Sequence, residues 1–190
     1  MFFLTQSGIV LASYILGCFS VGYYLVRWRT GEDLRELGSG ATGGRNTARV
    51  MGKGGAIAAG IGDIAKGVIA MWVALWFKLE PWALALVMIA VLAGHIWPIQ
   101  LGFKGGKGLS AAFGAVLMFD YRVALLTAIL ALALLVVSRN EFLFLMGIAS
   151  SPIIAFALGH DWEIVSGIVV LVVIILFAHR SNILKSLRSK

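Results

Sequence analysis

Long apolar segments alternate with short polar or glycine-rich breaks along nearly the whole chain. A helix rises about 1.5 Å per residue, so about 20 apolar residues cross a hydrocarbon core about 30 Å thick. Segment 109–119 is shorter and covers roughly 16 Å as a helix. The pattern predicts an all-α, polytopic transmembrane helix bundle in a single domain over residues 1–190, with seven helices of which one is short. The predicted helices cover residues 2–28, 56–77, 82–97, 109–119, 123–137, 142–158 and 164–178.

Composition agrees with a membrane protein. Apolar residues make up 60% of the 190 residues and charged residues only 13%, and the mean hydropathy is +0.94. These values do not fit a soluble globule. The net charge is +7, but the basic residues lie in the breaks and form no face interleaved with aromatic residues. We therefore expect the lipid bilayer, and not nucleic acid, as the partner. The single cysteine, Cys18, excludes an internal disulfide and a C-x-x-C metal site.

The distribution of basic residues predicts the topology. If 109–119 and 123–137 are separate helices, the loops 29–55, 98–108 and 138–141 share one side with the tail after residue 178. Among the basic residues of the loops, only Lys78 and Arg122 then lie on the opposite side of the membrane. The positive-inside rule makes the basic side cytoplasmic, with the N-terminus outside, the C-terminus cytoplasmic and an uncleaved first helix. A re-entrant hairpin over 109–122 stays open and preserves this sidedness. The basic side holds Arg27, Arg29, Arg35, Arg45, Arg49, Lys53, Lys104, Lys107, Arg139, Arg180, Lys185, Arg188 and Lys190.

Two glycine-rich loops on the basic side suit an anion. Residues 102–108 contain four glycines and two lysines, and glycines let backbone amides approach a phosphate closely. The spacing is not that of a P-loop, because three residues separate Gly102 from Gly106-Lys107 and no Ser or Thr follows. Residues 38–43 match G-x-G-x-x-G, but a dinucleotide fingerprint needs a strand that a helical membrane chain does not offer. The simpler alternatives are a tight turn with positive-inside lysines and a flexible loop whose arginines bind lipid headgroups.

Several polar residues lie at or within the predicted helices. His95 lies at the end of the third predicted helix, about one turn from the loop 98–108, and His179, Arg180 and Asn182 follow the last helix. They would either join the same pocket or cap helix ends. Asp63 and Lys66 share a helix face, as a functional pair or a structural ion pair.

Other polar residues receive simpler interpretations. Arg139 and Glu141 are interpreted as ordinary edge charges. We expect no metal site, because His160 is predicted outside and no acidic residues cluster with the other two histidines.

Four stretches together resemble one family. Residues 94–108 carry the complete pattern G-H-x-x-P-x-x-L-x-F-K-G-G-K-G, and residues 60–67 carry G-x-x-D-x-x-K-G. With residues 38–49 and 179–183, they make the chain similar to the bacterial acyl-phosphate:glycerol-3-phosphate acyltransferases, which are integral membrane enzymes. The resemblance spans most of the chain in order and spacing.

The chain departs from this family in three places. The family's first pattern is G-S-G-N-x-G-A-T-N-x-x-R. This chain has Ala41 in place of the first asparagine, and Gly44-Arg45 in place of Ala-Thr. The serine-rich stretch that usually follows Ser138-Arg139 is replaced by Asn140-Glu141-Phe-Leu. After Ile183 the family's later glycine and glutamate are absent from this sequence.

The resemblance implies transfer of a fatty acyl group from acyl-phosphate to the 1-hydroxyl of glycerol 3-phosphate. The product would be 1-acylglycerol 3-phosphate (lysophosphatidic acid), made for phospholipid biosynthesis in the bacterial cytoplasmic membrane with the active site on its cytoplasmic side. No cofactor and no obligate protein partner are expected. A small membrane transporter or gate for an anion or phospholipid is the alternative.

The predicted site draws on both loops and the tail. Either His95 or a substrate phosphate takes the hydroxyl proton, and no base stands beside Ser39 to make it a nucleophile. Which loop holds which phosphate stays open. The predicted catalytic residues are His95, Lys104, Ser39 and Asn182. The predicted phosphate-binding residues are Gly38, Gly40, Thr42, Gly43, Gly44, Arg45, Asn46, Arg49, Gly105, Gly106, Lys107, Gly108, His179 and Arg180.

Overall fold

The computed structural model describes residues 2–188, so Met1, Ser189 and Lys190, the last of which was counted in the basic tail, lie outside it. Within residues 2–188 the chain forms ten α-helices and one 3-10 turn, Ile99–Leu101. The helices are α1 Phe2–Cys18, α2 Val21–Thr30, α3 Gly44–Trp76, α4 Pro81–Ile96, α5 Leu109–Phe119, α6 Tyr121–Ser138, α7 Glu141–Ala149, α8 Ser151–Ala157, α9 Trp162–Ala178 and α10 Arg180–Arg188.

The helices form a multi-pass membrane bundle, as the apolar pattern predicted. Four helical segments of the described chain are long and apolar enough to cross a membrane: Phe3–Thr30, Gly44–Trp76, Pro81–Leu101 and Tyr121–Ser138. Three shorter apolar stretches accompany them, namely Leu109–Phe119, Glu141–Ala157 and Trp162–Ala178. The all-helical class is confirmed, whereas seven crossings remain a prediction.

Three predicted boundaries were wrong. The first segment is not one helix, because it breaks at Phe19 and Ser20 between α1 and α2. Near this break the carbonyls of Gly17 and Phe19 accept hydrogen bonds from the buried Lys66 Nζ. The polar stretch predicted to be a loop up to residue 55 is helical from Gly44 onward, with a single break at Gly52, whose φ is 69°. The segment 142–158 divides at Ser150, just before Pro152.

Helix α4 lies at the centre of the bundle. It packs against α1, α3, α5 and α9, and most of its residues from Ala83 onward are buried. Small residues bring its neighbours close: a Cβ on Gly67 of α3 would collide with the carbonyl oxygen of Ala111 in α5, and one on Gly114 with that of Ile64. Such glycine contacts are the usual means by which membrane helices approach one another.

The loops predicted to share the basic side do meet at one end of the bundle. The Arg35 Nη1 donates to the Leu101 carbonyl at 2.6 Å, and the Thr42 amide donates to the Gly105 carbonyl at 3.4 Å. At the opposite end, Asp120 Oδ2 lies 2.8 Å from Arg122 Nη2 and 2.9 Å from His160 Nε2. The hydrogen bond from Arg122 lowers the pKa of Asp120 to about 2.

Candidate active site

A cavity of about 240 Å³ opens at the end where the loops meet. It lies between the loop 31–43, the glycine-rich loop 102–108 and the junction of α9 with α10. Three cations, Lys104, Lys107 and Arg180, line it, and no carboxylate does so among the described lining residues. This charge suits an anion such as a phosphate. Seven predicted site residues line the cavity: Ser39, Gly40, Lys104, Gly105, Gly106, Lys107 and Arg180.

The backbone of the glycine-rich loop is already hydrogen-bonded to the helix before it. The amide of Gly105 donates to the Ile96 carbonyl and that of Gly106 to the His95 carbonyl, both at 3.0 Å. The expectation that these two amides are open to a ligand is therefore wrong. The glycines serve close packing instead, because a Cβ on Gly106 would collide with the His95 ring. The positive charge of this loop comes from the side chains of Lys104 and Lys107, which line the cavity.

Asn46 shapes the first loop from within. It is only 1% exposed. Its Oδ1 accepts from the Ser39 amide at 2.8 Å, and its Nδ2 donates to the carbonyls of Leu34 at 3.0 Å and Leu37 at 2.9 Å. Gly38 has a φ of +56° and leaves no room for a Cβ beside Asn46. Asn46 and Gly38 thus hold Ser39 at the cavity edge and do not line it themselves.

The other predicted residues near this loop lie around the cavity and not on its described lining. Thr42 is fully buried, and its carbonyl accepts from the Ser20 hydroxyl at 3.4 Å. Gly43 precedes α3, and Gly44 begins it against the carbonyl of Ala56. Gly108 has a φ of +82° and is the N-cap residue directly before α5. Arg49 and Arg45 are exposed at the start of α3.

His95 belongs to a buried cluster with the Asp63 and Lys66 pair. The Lys66 Nζ lies 3.0 Å from Asp63 Oδ1 and 2.8 Å from His95 Nδ1, and it donates to the carbonyls of Gly17 and Phe19 at 2.9 and 3.0 Å. The His95 Nδ1 also lies 3.5 Å from Asp63 Oδ1, so the three side chains meet at one point. His95 is 3% exposed and is not among the lining residues. Sequence reasoning found the pair but missed its link to the histidine.

The C-terminal residues divide between cavity and scaffold. The Arg180 guanidinium lies 4.4 Å from the Phe177 ring centroid and reaches the cavity. His179 is buried, with Nδ1 2.9 Å from the Ile175 carbonyl oxygen, which matches the helix-capping alternative. Asn182 Oδ1 accepts from Lys107 Nζ at 2.5 Å.

Glu141 is not the ordinary edge charge that the sequence indicated. Its Oε2 accepts from Asn182 Nδ2 at 2.9 Å, and its Oε1 accepts from Arg45 Nη1 at 2.6 Å. The two charged residues that depart from the family pattern thus pair with each other. That joint departure was the available hint, but spacing along the chain does not report a contact 96 residues apart.

A second cavity, of about 250 Å³, is almost wholly apolar. It begins at Leu109 and Ser110, directly after the glycine-rich loop, and extends between α5, α6 and α9 to Val116 and Ala124. Its lining suits a hydrocarbon chain. No group of three or more His, Cys, Asp or Glu that could hold a metal ion occurs among residues 2–188.

The chain is thus a multi-pass membrane helix bundle with a cationic cavity and, directly after the glycine-rich loop, an apolar one. The sequence model of the glycerol-3-phosphate acyltransferase family matches residues 7–189. The chain belongs to this family.

Relatives and solved structures agree over nearly the whole length. The chain is 43% identical over 176 residues to glycerol-3-phosphate acyltransferase 1 of Desulfitobacterium hafniense (strain Y51), covering 92% of this chain and 87% of the relative. It is 38% identical to the glycerol-3-phosphate acyltransferase of Synechococcus sp. (strain CC9902), with 95% and 91% covered.

Two crystal structures share the fold. Both are of PlsY (YgiH), an integral membrane glycerol 3-phosphate acyltransferase. Its glycerol 3-phosphate form matches with a TM-score of 0.90 at 28% identity, covering 97% of this chain and 93% of that one. Its lysophosphatidic acid form matches with a TM-score of 0.88 at 26% identity, with the same coverage.

Proposed function

We propose that this protein transfers a fatty acyl group from acyl-phosphate to the 1-hydroxyl of glycerol 3-phosphate. The hydroxyl oxygen forms a bond to the acyl carbon, the bond from that carbon to the phosphate oxygen breaks, and 1-acylglycerol 3-phosphate and phosphate leave. The observation that carries the proposal is the cavity lined by Lys104, Lys107 and Arg180 in a member of this family. The PlsY structures, in glycerol 3-phosphate and lysophosphatidic acid forms, support it.

Lys104, Lys107 and Arg180 bind the substrate phosphates in this proposal, with the hydroxyl of Ser39 as a further donor. Attack on the acyl carbonyl builds negative charge on its oxygen and on the departing phosphate. Fixed cations around the cavity stabilise both charges more in the transition state than in the ground state. Asn182 acts by fixing Lys107, because its amide is occupied by two protein partners.

The acyl chain lies in the apolar cavity that begins at Leu109. That cavity adjoins the glycine-rich loop, so the carbonyl of a chain held there can lie near Lys104 while the hydrocarbon stays out of water. A fatty acyl chain already lies in the bilayer, so its binding in the cavity rests on van der Waals packing and not on transfer out of water. This binding energy holds the donor in register with the acceptor hydroxyl.

A substrate phosphate accepts the hydroxyl proton in this scheme. His95 has its Nδ1 next to Lys66 Nζ and its ring packed under Gly106, away from the cavity lining. In this proposal it supports the glycine-rich loop from below, and the proton passes to the phosphate. A phosphate oxygen near the reacting hydroxyl needs no protein group to take the proton.

We place the protein in the bacterial cytoplasmic membrane with the cavity on the cytoplasmic side. The support is the positive-inside rule, since the basic residues concentrate in the loops around the cavity. The orientation is tested by replacing Lys53 with cysteine and adding a membrane-impermeant thiol reagent to one side at a time. We expect labelling from the cytoplasmic side. Labelling from the outer face alone contradicts it.

The activity is tested with purified protein in detergent, given acyl-phosphate and glycerol 3-phosphate. We expect lysophosphatidate to form, and Lys104→Ala to lower the rate more than tenfold, which corresponds to about 1.4 kcal/mol. The matched control is Lys53→Ala, an exposed lysine of α3 away from the cavity, which should keep wild-type turnover. Acyl-CoA supplied in place of acyl-phosphate tests the donor. No product from folded protein, with anion flux in vesicles, would support the transporter alternative instead.

A further inference from the structure

We propose that Glu141 is a positioning residue for this reaction, acting through Asn182 to hold the Lys107 ammonium at the edge of the cationic cavity. The inference rests on the proposed function and names a residue outside the cavity lining. Three hydrogen bonds carry it, and together they form a chain from Arg45 to the cavity.

The amide of Asn182 has one donor end and one acceptor end, and Glu141 fixes which way it faces. Nδ2 donates to Glu141 Oε2 at 2.9 Å, so Oδ1 is turned to Lys107 Nζ at 2.5 Å. The flipped amide would put its NH₂ group against the ammonium, where both are donors. The carboxylate of Glu141 therefore selects the orientation in which Asn182 holds Lys107.

An amide between the carboxylate and the lysine preserves the charge that a phosphate needs. A carboxylate in direct contact with Lys107 would offset its positive charge and compete with the substrate. Asn182 passes on the position without contributing a charge of its own. The negative charge of Glu141 instead meets Arg45 at 2.6 Å. Both of these side chains are partly exposed, so we assign their pair an orienting role and not a large stabilising one.

Helix α10 contacts the start of α7 at two points. Asn182 donates to Glu141, the first residue of α7, and Ser186 donates to Asn140, the residue before it. The Asn140 Oδ1 accepts from the Phe142 amide at 2.8 Å and from the Ser186 hydroxyl at 2.6 Å. Ser186 and Asn182 are four residues apart, so they share one face of α10. This face lies on the α6–α7 turn, which places the start of α10, with Arg180, beside the cavity.

The test measures initial rates in the purified protein while each substrate concentration is varied in turn. We expect Glu141→Ala to raise the KM of the substrate whose phosphate meets Lys107 about tenfold, the size expected for a lost charge-assisted contact. Lys107→Ala should raise the same KM. The double variant should lose no more than Lys107→Ala alone, because Glu141 acts through that lysine. The control is Glu32→Ala, which removes an exposed carboxylate at the same end.

The proposal is overturned if the KM increases of Glu141→Ala and Lys107→Ala multiply in the double variant, or if Glu141→Ala leaves KM unchanged. The proposed function stands in either case. Glu141→Gln keeps the shape and an acceptor for Asn182, so it should show a smaller rise and reports on the role if the alanine variant does not fold. If the wild type forms no lysophosphatidate, the proposed function fails. Calorimetry then measures how the wild type and Glu141→Ala bind glycerol 3-phosphate and inorganic phosphate. Unchanged affinity of the variant for both ligands would contradict the positioning role.

Discussion

Arg35 and Leu101 join the two loops that border the cationic cavity. The Arg35 Nη1 donates to the Leu101 carbonyl at 2.6 Å across 66 residues of sequence, while its Nη2 pairs with Asp33 Oδ2 at 2.5 Å. The hydrogen bond from Arg35 lowers the pKa of Asp33 to about 2. An arginine held by a carboxylate on one side thus fixes a carbonyl on the other. The cavity walls are set before substrate arrives, which is what electrostatic catalysis requires.

Replacement of Arg35 should separate these loops. We expect Arg35→Ala to lower acyl transfer about tenfold, because the hydrogen bond from Arg35 Nη1 to the Leu101 carbonyl that aligns the loops is lost, together with the Asp33 pair that orients it. Arg35→Lys should recover little, since one ammonium does not reproduce the two-sided geometry of a guanidinium. Initial rates with both substrates in excess give the measurement. Arg29→Ala, at an exposed position in the last turn of α2, is the control, and an equal loss there would show an effect of charge alone.

Gly106 tests the packing of the glycine-rich loop on His95. Its φ is not positive, so alanine is allowed by the backbone and only the collision with the His95 ring opposes it. We expect Gly106→Ala to reduce activity more than tenfold, because the loop must shift and carries Lys104 and Lys107 with it. Gly60→Ala is the matched control, since a Cβ there meets nothing within 4 Å. Wild-type rates for Gly106→Ala would contradict the close packing.

Lys66 and Asp63 should be interdependent in stability. They are 4% and 1% exposed, so Lys66→Met leaves a buried carboxylate without its cation. Breaking a buried pair in this way costs about 3–5 kcal/mol. The double variant Asp63→Asn with Lys66→Met should regain part of the loss, because no buried charge is left unpaired. Thermal unfolding in detergent measures this, and strictly additive effects would show that the two residues do not stabilise each other.

The sequence alone predicted the class of fold better than it predicted contacts. Apolar segment lengths indicated membrane helices, and charge placement indicated which loops converge, because both depend on composition over many residues. Ser39, Lys104, Lys107 and Arg180 line the cavity, and their roles in binding and catalysis stay predictions. The pairing of Asp63 with Lys66 was also predictable, since three-residue spacing fixes neighbours on a helix.

Contacts between distant elements were not predictable from periodicity. The link from Lys66 to His95 joins α3 to α4, and Glu141 meets Arg45 and Asn182 only because α3, α7 and α10 converge at one end. The glycines at 105 and 106 had two consistent explanations. A residue without a side chain can expose its amide to a ligand or allow a close approach, and only the folded chain distinguishes them.

Asp120 should make stability depend on pH at the other end of the bundle. Its pKa is lowered to about 2 by the hydrogen bond from Arg122, so its contribution is present above the unfolded value, about 4, and is lost as the pH falls towards 2. Asp120→Asn should therefore destabilise the protein at pH 7 by about 1 kcal/mol, a value discounted because the Arg122 side chain is 53% exposed. Thermal unfolding in detergent should be measured between pH 7 and pH 2. The stabilities of the wild type and Asp120→Asn should converge below pH 4. Asp161→Asn, an exposed position at the same end, should show no such convergence. A difference that stays constant over this range would exclude the proposed ionic contribution of Asp120.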